Sequence, residues 1–257
     1  MISNKSVYIS IVSHKSFDDI KVNFYNFPKI IMGYRIIIGI VDNFGQEELK
    51  SWCKSNKINY YFDGNLRGYG ANHNLNFEIL SPKKNDPFII LNPDVIISKT
   101  NFKGIINYYY EKSPSLFGVR VYESLDFTKF SSHNRSFPAL FDPIISFFFR
   151  IKLFENDFFT HSNPDWIGGA FMAFKSSVFK NIGGFDETFF MYYEDIDVCR
   201  RLKNKGFIID YNPEFYITHL ASRDGRILFS KHFFYNLKSM IKYFFRYPTI
   251  KLFSFKF

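Results

Sequence analysis

The sequence predicts an α/β chain with a mainly parallel central sheet flanked by helices, and three observations carry that reading. Apolar, β-rich runs alternate with amphipathic segments over the first hundred residues, the pattern of β-α-β units. Each run ends in small, polar or acidic residues, and in an open α/β sheet the ligand sits beyond the C-terminal ends of the strands. The 257 residues are 46% hydrophobic and 22% charged, with no Pro/Ser/Gly-rich linker and no long block of one charge, which favours one large domain over two small ones.

In order, strands are predicted at "VYISIVS" (7–13), "RIIIGIVD" (35–42), "INYYF" (58–62) and "PFIILN" (87–92), with helices near 17–26, 46–55 and 70–80 between them. Their tails are Ser13 and His14, Asp42 and Asn43, "DGNLRGYGANHN" (63–74), and "NPD" (92–94). Next come a helix near 101–112, strands near 116–122 and 127–132, and an aromatic helix near 139–154. "DWIGGAFMAF" (165–174) leads to a short helix, then to a helix opened by an acidic cluster and running to about 205, then to strands near 207–211 and 215–219. Residues 226–257 read as a separate basic amphipathic tail following a body of 1–225. No internal repeat and no low-complexity tract interrupts this order.

A net charge of +9 with a pI near 9.3 calls for an anionic partner: nucleic acid, an acidic membrane surface or a phosphorylated substrate. Cys53 and Cys199 stand far apart with no CxxC or Cys/His spacing, so neither a disulfide framework nor a zinc site is indicated and a reducing cytoplasm fits. No stretch reaches the roughly 18 apolar residues of a spanning helix, and the first apolar run is too short for a signal peptide. The expectation is a protein that is soluble or lies on a surface. The 35 Phe and 17 Tyr accompany many Lys, Asn and Ile, as an AT-rich coding sequence favours, and by themselves imply no aromatic box.

Four stretches carry chemistry. Gly68 and Gly70 precede a helix, where they suit either a tight turn or close approach of backbone N–H groups to a diphosphate, with Arg67 adding charge. "LNPDV" sets Asp94 after a strand-ending proline, as a turn former or as an oxygen ligand for a divalent cation. His219 follows the strand "FYITH", at the surface or beside Asp94 as a metal ligand. In "GGFDETFFMYYEDIDVCRRL", Glu194, Asp195 and Asp197 suit the positive end of a helix dipole, with Arg200 and Arg201 towards the other end. Two glycines, the pair Asp186 and Glu187, and an aromatic wall stand before them; a carboxylate against such a wall is raised towards the range of a general base. In the tail, Phe229, Phe233, Leu237, Met240, Ile241, Phe244 and Phe245 share one helical face and Lys231, Lys238, Lys242 and Arg246 another, which suits a membrane surface or a helix packed on the core.

Taken together and in this order, "LNPDV", "DWIGGAFMAFKSSVF" and "GGFDETFFMYYEDIDVCRRLKNKG" resemble the inverting glycosyltransferases of family 2, with a GT-A fold, over nearly residues 5–225. "SSHNRSFPALFDPIISFF" and "ITHLASRDGRILFSKHFFYNLKS" are similar to the O-antigen rhamnosyltransferases of that family. The resemblance implies that Asp42 contacts the nucleotide base and that Ser13, Asn43, Arg67, Gly68, Gly70, Asn74, Asn92 and Asp94 surround the nucleotide-sugar. It implies Asp195 as the catalytic base within the Glu194–Asp195 pair, and Asp165, Trp166 and Gly169 beside the acceptor. Asp94 with His219 would hold Mg²⁺ or Mn²⁺, although Asn92 replaces the first acid of the family's usual Asp-x-Asp.

The implied reaction is inverting transfer of a sugar, L-rhamnose from dTDP-rhamnose, to a lipid-linked saccharide in O-antigen synthesis. It would take place at the inner face of the cytoplasmic membrane, with the tail on anionic lipid. A UDP-hexose donor is the alternative within the family. A nucleotidyltransferase would need a glycine-rich, lysine-bearing segment after the first strand, where "SHKSFDD" stands. A nucleic-acid-binding protein would use the basic charge, but the acids lie at the strand ends where phosphates would have to sit, so no nucleic-acid partner is expected.

Overall fold

The apolar runs form strands in the computed structural model, which describes residues 4–131, 134–139, 142, 161–220 and 230–248. The chain begins with β1 (Ser6–Ser13), α1 (Phe17–Phe24), β2 (Ile30–Ile31), β3 (Tyr34–Asp42), α2 (Glu47–Asn56), β4 (Asn59–Tyr61), α3 (Tyr69–Leu80) and β5 (Pro87–Leu91). It continues with β6 (Val95–Ile96), α4 (Lys99–Lys112), β7 (Leu116–Tyr122), β8 (Phe130–Ser131) and β9 (Asn134–Arg135). The last elements are β10 (Trp166–Ile167), β11 (Phe171–Lys175), α5 (Ser176–Asn181), α6 (Glu194–Asn204), β12 (Ile209–His219) and α7 (Lys231–Arg246).

Among the described residues the main sheet runs β2-β3-β1-β5-β11-β7-β12-β6, with β4 on β3 and β8 on β7. Its first half, β4-β3-β1-β5, is parallel as the β-α-β pattern requires. The second half is mixed: β11 lies antiparallel between β5 and β7, whereas β7 and β12 are parallel. The two predicted strands of 207–219 are one strand, β12, whose register against β7 shifts between Asn212 and Tyr216, where Pro213 has no N–H for the ladder. The strand expected at 127–132 contracts to β8, and most of the aromatic helix expected at 139–154 falls outside the described residues.

Alternate residues of β1 feed opposite sides of the sheet. Val7, Ile9 and Ile11 join Ile20, Phe24, Leu49, Phe102 and Ile105 in one apolar layer, and Tyr8 joins Phe88, Phe174, Phe179, Val198 and Leu202 in the other. Much of the phenylalanine excess is spent here: Phe179 packs its ring about 5 Å from those of Phe77, Phe88 and Phe174.

One polar knot lies inside that second layer. Ser10 Oγ meets Nδ1 of buried His73 at 2.7 Å, and Asn76 Nδ2 donates to Ser10 Oγ at 2.9 Å and to Gly39 O at 2.7 Å. A Cβ on Gly39 would stand 2.2 Å from Asn76 Oδ1, so the glycine interrupting the run "RIIIGIVD" makes room for the amide. Burial pushes the His73 imidazole down from 6.5 to about 3. A depressed folded-state value means that stability is complete above pH 6.5 and is lost as pH falls towards 3. The expected slope from this group is about 1.4 kcal/mol per pH unit between pH 6 and 4. Urea unfolding of wild type and His73→Gln should show a difference in stability that narrows by that amount per unit on acidification.

Candidate active site

The polar strand tails gather at one end of the sheet, and five contacts join them into one chain of polar groups. Asp94 Oδ1 lies 3.2 Å from His219 Nε2, and that same nitrogen lies 3.1 Å from Asn92 Nδ2. The pairing of β6 with β12 brings His219 opposite Val95, next to Asp94. Asn92 Oδ1 accepts from the Tyr69 hydroxyl at 2.9 Å, which also reaches Gly169 O at 2.7 Å. Gly169 N in turn donates to Asp195 Oδ2 at 3.1 Å. Asp94, His219, Asn92, Gly169 and Asp195, predicted from four separate stretches, therefore share one site. Tyr69 links its halves; it lay inside the quoted glycine loop, yet nothing in that spacing distinguished it.

Burial pushes Asp94 up, but the hydrogen bond and charge of His219 outweigh it and leave the carboxyl below its usual range. Burial, and then the charges of Glu194, Asp195 and Asp94, raise the Tyr69 phenol well above its usual value. It therefore stays a neutral donor. Tyr69→Phe would leave Asn92 Oδ1 and Gly169 O without that donor, and a loss of about 1–3 kcal/mol is expected in thermal unfolding.

The acidic cluster divides by function. Asp197, fully buried, accepts from Arg201 Nε on Oδ2 at 2.7 Å and, on Oδ1, from Tyr247 Oη at 2.8 Å and Arg246 Nη1 at 3.0 Å. Asp186 also pairs with Arg246, and Glu187 Oε1 accepts from Asn74 Nδ2. These three acids are structural. Glu194 and Asp195 begin α6 and lie towards Tyr69 and Gly169. Burial, and then the charge of Asp195, push Glu194 well above the usual carboxylate range, and its Oε2 has no hydrogen-bond partner among the described residues. The turn before them is strained: Tyr192 and Tyr193 take φ of +68° and +64°, left-handed values that cost about 1–3 kcal/mol each in non-glycine residues.

The residues expected on the nucleotide side form a second network beside this chain. Asp42 is 2% exposed, and its carboxylate accepts from Phe44 N, Gln46 N and Tyr60 Oη at 2.8–3.0 Å, which fixes the turn into α2. Ser13 O accepts from Asn43 N at 2.8 Å, and the Asn43 side chain bonds both the N and the O of Arg67. Arg67 is held by Asp63. Gly68 and Gly70 answer a packing demand: a Cβ on Gly68 would stand 2.4 Å from Phe190 O, and one on Gly70 2.6 Å from Phe185 Cβ. Asn74 pins the same segment through both Phe185 N and O.

The expected acceptor residues separate. Gly169 sits against Asp195, while Asp165 accepts from Phe137 N at 3.1 Å and pairs with Lys203, and Trp166 Nε1 donates to Ser136 O at 3.0 Å. The tail helix α7 is present and lies against the loop before α6. Ser239 and Tyr243 are buried, Lys242 and Arg246 turn to Thr188 O and to the two carboxylates, and Phe234, Leu237, Ile241 and Phe245 are exposed. Phe229 lies outside the described residues.

Residues 44–233 match the family described as "Glycosyltransferase like family 2". Over 244 residues, 92% of each chain, the protein is 34% identical to the rhamnosyltransferase WbbL of Escherichia coli. A stretch of 54 residues, 21% of this chain and 18% of the relative, is 39% identical to the N-acetylglucosaminyl-diphospho-decaprenol L-rhamnosyltransferase of Mycobacterium tuberculosis. Among solved structures, GalNAc-T7 with UDP, GalNAc and Mn²⁺ superposes on 93% of this chain and 47% of its own, with a TM-score of 0.67 at 11% identity. The mannosyltransferase PcManGT of Pyrobaculum calidifontis, with GDP-Man and Mn²⁺, superposes on 95% of this chain and 65% of its own, with a TM-score of 0.59 at 12% identity. Those two likenesses are of fold, and with the match over most of the sequence they make this chain a family 2 glycosyltransferase built on the GT-A fold.

Proposed function

We propose that the chain transfers L-rhamnose from dTDP-rhamnose, with inversion, to a lipid-linked saccharide in O-antigen synthesis. The observation that carries this reading is the chain of polar contacts from Asp94 to Asp195, because it sets a pair suited to a donor diphosphate and a carboxylate suited to an acceptor hydroxyl in one site. The rhamnosyltransferase relatives support the sugar, and the decaprenol-linked one supports the acceptor class.

The acceptor oxygen attacks the anomeric carbon on the side opposite the diphosphate; that C–O bond forms as the bond to the diphosphate breaks, and Asp195 takes the hydroxyl proton. Glu194, in an apolar setting beside Asp195, is the member that keeps its own proton. Asn43, Arg67 and the turn at Asp42 shape the nucleotide side, and Gly169 with Trp166 the acceptor side.

Asp94 and His219 offer a small oxygen-and-imidazole set, with Asn92 turning its amide nitrogen to His219 and its carbonyl to Tyr69, and no cluster of three His, Cys, Asp or Glu occurs among the described residues. Such a set suits a hard cation that keeps waters and takes its other ligands from substrate phosphates. Mg²⁺ or Mn²⁺ there would neutralise charge on the departing diphosphate.

Peripheral contact with the inner membrane surface is supported by the exposed Phe234, Leu237, Ile241 and Phe245 of α7, flanked by exposed Lys231 and Lys238. No helix among the described residues is long and apolar enough to cross a membrane.

The test is a panel of dTDP-rhamnose and UDP-hexoses presented with a membrane extract, reading label in the lipid fraction. Transfer from dTDP-rhamnose, abolished by EDTA and restored by Mg²⁺ or Mn²⁺, is expected. Transfer only from a UDP-hexose overturns the donor, and full activity in chelator overturns the cation.

A further inference from the structure

The helix α7 touches the strained turn before the acid pair at almost every residue. Arg246 pairs with Asp186, Lys242 donates to Thr188 O, and the Tyr235 ring lies 4.8 Å from that of Phe190. Ser239 Oγ donates to Met191 O at 2.8 Å, Tyr192 Oη meets His232 Nδ1 at 3.1 Å, and buried Tyr243 packs 5.4 Å from Tyr193. Two residues beyond Asp195, Arg246 and Tyr247 close on Oδ1 of Asp197. By contrast, Tyr193, the residue before α6, caps none of the helix N–H groups with its side chain, and both Tyr192 and Tyr193 are left-handed. Such backbone persists only where its surroundings over-determine it, and here α7 supplies contacts to six residues of the turn, beside the Tyr69 N–H on Phe190 O.

We infer that α7 is part of the catalytic apparatus and that Arg246 and Tyr247 are positioning residues, which act through Asp197 to hold the first turn of α6 and hence Asp195 in place. This rests on the reading of Asp195 as the base, and it gives α7 a role separate from membrane contact. The exposed apolar side chains lie on one side of the helix and the residues that hold the turn on another, so the two roles fall on different side chains.

The experiment uses the full chain with a short, water-soluble acceptor, which removes any dependence on lipid. Arg246→Gln with Tyr247→Phe deletes both donors from α7 while Arg201 stays on Asp197. We expect kcat to fall at least tenfold while the donor KM and the thermal shift produced by dTDP change less than twofold. Arg246→Lys, which keeps a cation beside Asp197, should recover most of kcat. A double variant whose kcat stays within twofold of wild type overturns the inference. If that variant does not fold, Tyr247→Phe alone replaces it: a threefold or greater fall in kcat at unchanged KM supports the inference, and a smaller one overturns it. Asp195→Asn, assayed in parallel, separates the two readings. Near-normal turnover there overturns the base assignment, whereas an inactive Asp195→Asn beside a fully active Arg246→Gln/Tyr247→Phe overturns only the role of α7.

Discussion

Asp195→Asn is expected to lower sugar transfer by roughly 10²–10⁴-fold, the contribution typical of a positioned general base. The amide keeps the size of the carboxylate, and its carbonyl oxygen can still accept from Gly169 N, so the loop and the chain of polar contacts to Asp94 should survive. Folding stability should change by only about 1 kcal/mol, since the carbonyl keeps the bond from Gly169 N while the amide nitrogen replaces the oxygen that accepts from Ile196 N. Nucleotide binding, read as the thermal shift with dTDP, should be unchanged. Glu194→Gln makes the useful contrast: burial already holds that side chain in its protonated form, which glutamine imitates, so its loss of transfer should be under about tenfold. Steady-state rates of the two variants decide the assignment. Near-normal turnover in Asp195→Asn would remove the base from this position, and the reverse ranking would move it to Glu194.

Two residues further along the same helix the outcome should invert. Asp197→Ala removes a fully buried carboxylate that holds Arg201, Arg246 and Tyr247, and it leaves the partly buried Arg201 without its carboxylate. Breaking a buried pair from one side costs about 3–5 kcal/mol, because the abandoned charge stays desolvated. For a chain of this length that corresponds to a fall in Tm of roughly 6–20 °C. Arg201 also donates to Ile182 O and Gly184 O, so loosening is expected to spread into the turn that precedes the acid pair. Calorimetry checks the shift; a variant melting within about 2 °C of wild type would show that Asp197 is not the rivet described here. Neighbouring acids of one cluster thus differ: Asp195 should cost rate with little stability, whereas Asp197 should cost stability first and rate only through the turn it holds.

The sequence by itself determined the elements whose cause is local. The runs at 7–13, 35–42 and 87–92 are long, apolar and β-branched because their strands are covered on both faces, and they were legible for that reason. The small and acidic residues after them were legible too, since a strand end in an α/β sheet exposes whatever follows it. The acids opening α6 could be placed from their spacing and from the basic residues behind them. The features set by the fold alone depend on partners distant in the chain. Tyr69 meets Asn92 and Gly169 across 23 and 100 residues, contacts that leave no periodicity to read. The helical wheel of the tail gave the period of α7 but not its rotation. The wheel groups Lys242 and Arg246 with Lys231 and Lys238 on one basic face; in the fold they turn inward to Thr188 O and to Asp186 and Asp197, the carboxylates lying 60 and 49 residues upstream of Arg246. Phe234, Leu237, Ile241 and Phe245 are left on the outer side instead. A wheel fixes which side chains travel together but not which face docks; here the docked face carries the Arg246 that meets buried Asp197 and partly buried Asp186, partners no local pattern announces.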